Sequence, residues 1–191
     1  MAYKNDKPKI KFWKYILSFI WETAKIVIIS LAIIIPIRYF VFQPFFVRGA
    51  SMEPNFEDGE YLIIDEISLR FHEPQRGDTI IFRYPKDPSQ YYIKRVIGLP
   101  GEIVKIESGK VTIFNKENTA GFILDESYLS EENKFTSGDT EIKLDENDYF
   151  VMGDNRRASS DSRRWGAVPR HYIVGQAWLR AWPFNRFGIV K

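Results

Sequence analysis

Gly49-Ala50-Ser51-Met52-Glu53-Pro54 stands just beyond the one strongly apolar segment of the chain, and Lys94 follows inside an apolar run. A serine hydroxyl is a weak nucleophile until a neighbouring base takes its proton, and a lysine amine held neutral is suited to that task. Gly49 and Ala50 leave little bulk beside Ser51, so a substrate backbone can come close. The Ser51 N–H is then free to face an oxyanion. The same hexapeptide also reads as an ordinary tight turn leading off the apolar segment.

Alternation along Tyr91–Ile97 predicts that Lys94 shares a strand face with Tyr92 and Val96, while Tyr91, Ile93, Arg95 and Ile97 take the other. Burial beside such neighbours disfavours the ammonium form and lowers its pKa. A lysine that protects an edge strand from aggregation fits the same pattern. A third group runs from Gly153-Asp154-Asn155-Arg156 through Ser159-Ser160-Asp161-Ser162-Arg163 to Trp165-Gly166. Its acids, amides, hydroxyls and guanidiniums can build a hydrogen-bonded support that orients catalytic groups. Without such a task it is a solvated polar loop, although Trp165-Gly166 suggests packing against a domain.

Composition narrows the chemistry. The 191 residues contain no cysteine, which excludes disulfides, thiolate catalysis and cysteine-based metal sites. His72 and His171 are the only imidazoles, so a Ser-His triad or a multi-histidine metal site would have to draw on these two. No cofactor or metal is implied. A net charge of +2 does not suggest a nucleic-acid partner.

The elements that must position these residues begin with a membrane segment. Residues 1–14 form a basic terminus, with Lys4, Lys7, Lys9, Lys11 and Lys14 against Asp6. Residues 15–42 are expected to span a bilayer, because the dense apolar core Ile26–Ile37 needs flanking residues to reach about 20. Glu22 and Lys25 lie three apart and can pair on a helix. Trp13, Trp21, Tyr39 and Phe40 suit the two interfaces. A cleavable signal peptide is the alternative, but the exit Phe42-Gln43-Pro44-Phe45-Phe46 is bulky and lacks a small-x-small site. The early lysines place the N-terminus in the cytoplasm and residues 43–191 on the extracytoplasmic side.

Beyond the anchor, β-branched and aromatic runs predict strands at Tyr61–Ile64, Thr79–Tyr84, Tyr91–Ile97, Ile103–Ile106, Lys110–Phe114, Tyr149–Met152 and Ile173–Trp182. Residues 115–148 read as an irregular insert. The expected fold is a mainly β, antiparallel catalytic domain on a single N-terminal transmembrane helix.

Gly-x-Ser-Met-x-Pro, Lys-Arg-Val-Ile-Gly-x-Pro-Gly-Glu and Gly-Asp-Asn-Arg…Ser-x-Asp-Ser-Arg-x-Trp-Gly occur here in one order over residues 38–182. In this the chain resembles the bacterial type I signal peptidases, in their compact, Gram-positive-like form. The resemblance implies Ser51 as nucleophile and Lys94 as general base. Ser159 would position the lysine, Asp161 and Arg163 would form a supporting ion pair, and Asp154 would be the acid of the Gly-Asp-Asn turn. Phe45, Val47, Met52, Tyr92 and Ile93 fall in segments that shape substrate pockets in that family. Its substrates are membrane-bound preproteins with small residues, typically Ala, first and third before the cut, and it works at the lipid bilayer of the cell membrane.

One departure is visible. Some members carry a Ser or Thr two residues before the nucleophile to aid the oxyanion; here that residue is Gly49, so the Ser51 N–H must serve with another backbone donor or water. Two alternatives remain: an inactive relative that binds or assembles surface proteins, and a self-cleaving Ser-Lys regulator. The first would be expected to lose Ser51 or Lys94. The second would normally bring a DNA-binding domain rather than an anchor.

Overall fold

The computed structural model of the chain describes residues 9–40 and 42–190. They fall into two units, residues 1–41 and 42–191. The first is one helix, α1 (Lys9–Phe40). Within it Phe12–Ile35 is apolar enough to cross a membrane. Those 24 residues give about 36 Å of helix at 1.5 Å per residue, enough for a hydrocarbon core of about 30 Å. The two charges at Glu22 and Lys25 pair across one turn at 2.7 Å.

The second unit is built from strands: β1 (Phe42–Phe46), β2 (Tyr61–Asp65), β3 (Thr79–Tyr84), β4 (Asp87–Gly98), β5 (Ile103–Glu107), β6 (Lys110–Phe114), β7 (Phe122–Ile123), β8 (Thr140–Lys143), β9 (Asp148–Met152), β10 (Val168–Pro169), β11 (Ile173–Trp182) and β12 (Gly188–Ile189). The larger sheet runs β1-β2-β11-β3-β4-β9-β10, with β12 beside β11, and the smaller runs β7-β6-β5-β8. Every pairing in both is antiparallel. This is the mainly β, antiparallel architecture expected, and each strand predicted from sequence is present.

Alternation sorts the core. Ile81 and Ile93 point to one face of the larger sheet and pack with Leu62, Ile64 and Phe56. Ile80, Phe82 and Val96 point to the other and pack with Tyr149 and Val151. The smaller sheet closes over Ile97, Val104, Ile106 and Phe150. Residues 115–148, expected as an irregular insert, contain β7 and β8, and β8 is an edge strand of the smaller sheet. The alternation of Ile142 and Leu144 with Glu141 and Lys143 is the signal for β8. It is short, and the polar residues around it mask it.

One feature of register matters for the site. β3 pairs with β4 along Tyr91–Arg95, opposing Ile80 to Lys94. β9 joins the other edge of β4 only from Arg95 onward. Tyr91–Lys94 therefore keep one edge without a strand partner among the described residues.

Candidate active site

Ser51 lies in the turn that follows β1, and Lys94 lies on β4, 43 residues later. The fold brings them together: Lys94 Nζ donates to Ser51 Oγ at 2.8 Å and to the main-chain oxygen of Ile93 at 2.9 Å. Lys94 is only 4% exposed. Its Nζ stands 5.3 Å from the centroid of the Tyr92 ring, the neighbour that strand alternation predicts. Burial pulls its pKa down to about 8, although the charges of Asp161 and Asp154 pull the other way. An amine with that pKa is neutral in a useful fraction of molecules near neutral pH.

The Gly153–Arg163 loop holds this pair in place. The Asn155 N–H donates to the main-chain oxygen of Ser51 at 3.1 Å, and its side-chain amide donates to that of Ala50 at 3.0 Å. Gly49 N–H donates to Asp58 at 2.6 Å, fixing the other end of the turn. The Ser51 N–H donates to no group among the described residues, which leaves it for an oxyanion.

Asp161 and Arg163 form the expected ion pair, through Nε to Oδ1 at 2.8 Å and a second guanidinium N–H to Oδ2 at 2.8 Å. Burial raises the Asp161 pKa, but Arg163 and the Gly153 N–H outweigh it and hold the carboxylate below its ordinary value. Ser159 differs from expectation. Its buried Oγ faces Asp161 without reaching hydrogen-bonding geometry with any partner, Lys94 included. The second bond of the lysine goes to Ile93 instead. Asp154 is buried and grips Arg95 through two bonds, 2.9 Å to Nε and 2.6 Å to a terminal nitrogen, and accepts a third from Asn55 at 2.8 Å.

A cleft of about 780 Å³ opens beside Ser51 and Lys94. Phe45, Tyr92 and Ile93 line it, as expected. Val47 and Met52 do not: they are 1% and 0% exposed and belong to the core beneath. Val47 continues the inward face of β1 to which Phe45 belongs, and Met52 turns its side chain into the same core from the turn after it. Sequence reasoning missed Phe46, Arg48, Gln90, Tyr91, Ala158 and Ser160 on the walls. It also missed the bracing by Arg95 and Asn155, although both stand inside the motifs quoted above.

Fold and site together describe a β-rich unit, in a chain that also carries an apolar helix long enough to cross a membrane, with a serine hydroxyl set against a buried lysine amine. The chain belongs to the signal peptidase family, peptidase S26, whose profile it matches over residues 20–182. It is therefore a serine endopeptidase of the signal peptidase I type. It is 35% identical to a probable signal peptidase I-2 of Synechocystis, over 98% of this chain and 81% of that one. It is 38% identical to a signal peptidase I of Leptolyngbya laminosa, over 90% of this chain and 84% of the relative. A solved signal peptidase I from Enterococcus faecalis aligns with 55% of this chain and 97% of its own length, at 33% identity and a TM-score of 0.46.

Proposed function

We propose that this enzyme removes signal peptides from exported preproteins, with Ser51 as nucleophile and Lys94 as general base. The observation that carries this reading is the 2.8 Å contact between a buried lysine amine and the serine hydroxyl. The neutral amine accepts the hydroxyl proton as Oγ attacks the scissile carbonyl, and the Ser51 N–H stabilises the oxyanion. The ammonium returns that proton to the leaving amine of the mature protein, leaving an acyl-enzyme on Ser51. Lys94 then takes a proton from water as the water oxygen attacks the ester, and returns it to Ser51 Oγ as the acyl C–O bond breaks, so that the signal peptide departs as a carboxylic acid that ionises in solvent.

Asp161, Arg163 and Asp154 hold the loop against which the pair rests, and Ser159 is buried within that loop beside Gly153. An extended substrate fits as an added strand along the open edge of Tyr91–Lys94. Its small residues, first and third before the cut, point toward Phe45, Tyr92 and Ile93, where bulkier side chains collide. Discrimination of this kind is worth about 1–3 kcal/mol per missing or added methylene-sized group. Residues 1–14 are the basic cytoplasmic terminus, 15–42 the anchor in the cell membrane, and 43–191 the extracytoplasmic catalytic part.

Cleavage of a precursor peptide with Ala first and third before the cut tests the reading. Wild type cleaves it at one bond, and Leu at either position suppresses cleavage. A folded Ser51→Ala protein that still cleaves at the wild-type rate refutes the assignment of the nucleophile. Protease accessibility of intact cells tests the orientation: residues beyond 43 are digested from outside.

A further inference from the structure

Arg48 lies three residues before Ser51 and lines the same cleft as an exposed residue. Its guanidinium carbon stands 5.9 Å from the centroid of the Phe46 ring, and Phe46 is itself braced edge-on by Tyr61 at 4.9 Å. Among the described residues Arg48 makes no ion pair and no hydrogen bond, so its N–H donors are unspent. The charged residues lining the cleft are Arg48 and Lys94, and no carboxylate accompanies them. Of the acids on neighbouring segments, Asp58 accepts from the Gly49 N–H at the edge of the cleft and Asp87 from Ser89 and Gln90, and neither pairs with Arg48. Arg83, which does not itself line the cleft, lies opposite Tyr91 in the β3–β4 register and 5.2 Å from the centroid of its ring. A cleft lined by one sign of charge imposes a preference on whatever chain enters it.

We infer that Arg48 selects for an acidic side chain, and against a basic one, in the stretch of preprotein that spans the scissile bond. The inference rests on the protease reading above. The pocket-facing residues of the substrate are small and neutral, so the charge is read on the side chains between and beyond them. An anionic lipid headgroup is the competing partner for an exposed arginine. The shared cleft favours the peptide, because Arg48 stands where the substrate must pass to reach Ser51.

The test uses the full-length enzyme in neutral detergent with a peptide series that keeps Ala first and third before the cut. Asp or Lys is placed, one position at a time, second before the cut and first or second after it. Wild type is expected to show a kcat/KM ratio of Asp to Lys of about threefold to tenfold at one or more positions in low salt, shrinking in high salt. Arg48→Gln should bring that ratio towards one, and Arg48→Glu should invert it. Each ratio is taken within one enzyme, so a general loss of activity does not disturb it. A wild-type ratio of one in low salt overturns the inference, as does a ratio that is equal in wild type and both variants. Equal ratios with rates that instead follow the anionic lipid content of added vesicles assign Arg48 to the lipid and overturn it too. If the all-Ala peptide is not cleaved, or is cleaved equally by Ser51→Ala, the protease reading has failed rather than the role of Arg48.

Discussion

A methyl group on Gly153 would stand 2.3 Å from the main-chain oxygen of Ser51 and 2.3 Å from the Ser159 hydroxyl. Neither contact has room to yield, because the Ser51 oxygen is held by the Asn155 N–H and Ser159 is buried. Gly153→Ala should therefore displace Ser51 from Lys94. We expect kcat/KM on a precursor peptide to fall at least tenfold, with about 1–3 kcal/mol of lost stability from overpacking. Near-wild-type turnover in a folded Gly153→Ala protein would show that the nucleophile turn moves freely.

Ser51→Ala and Lys94→Met should each abolish cleavage and leave the circular dichroism spectrum unchanged. Log kcat/KM should rise with pH at a slope near one and level off around pH 8, where Lys94 loses its proton. A midpoint near the ordinary lysine value of about 10.4 would mean that the amine is solvated. Stability carries the same signature. The folded pKa of about 8 lies below the unfolded value of 10.5, so the unfolded chain binds more protons between the two. Stability should rise with pH across that window, and below it the buried amine costs roughly 3 kcal/mol. Lys94→Met should flatten this rise in urea titrations from pH 7 to 10.5.

Arg95 and Asp154 are both buried and doubly bonded. Removing one partner leaves the other charge stranded, at a cost of about 3–5 kcal/mol. Asp154→Asn and Arg95→Met should each show that loss in urea unfolding, and the double variant should lose less than the sum. Strict additivity would mean that the two side chains do not couple.

Gly49 has a φ of +83°, and nothing lies within 4 Å of where its Cβ would be. Gly49→Ser thus has space for a hydroxyl near the oxyanion, but must hold a left-handed backbone that costs roughly 1–2 kcal/mol. We expect activity to be retained and the unfolding midpoint to fall. A collapse of kcat without loss of stability would show that the bare backbone itself is needed by the substrate.

His72 and His171 lie outside the cleft, the first near the Ser68 carbonyl and the second against Tyr172. Replacing both with Gln should leave the pH midpoint of kcat/KM in place. A shift of that midpoint would bring an imidazole into the mechanism.

Much of this protein was legible from local sequence. Strands such as Thr79–Tyr84 announce themselves because β-branched and aromatic residues fit a pleated surface. The apolar run of α1 declares a bilayer span by length alone. The residue types at Ser51, Lys94 and Asp161 carry the proposed chemistry, since only a few side chains can perform it. The 43-residue separation of Ser51 from Lys94 carries no distance. That distance is set by the pairing of β3 with β4 and by the turn that Asn155 and Asp58 pin. Tertiary structure alone turned Val47 and Met52 into core, joined β8 to β5, spent a lysine bond on Ile93 rather than Ser159, and left Arg48 without an ion pair among the described residues. Propensity and periodicity act between near neighbours along the chain. Burial, ion pairing and pKa depend on which distant segments share the same space, and the packed sheets decide that.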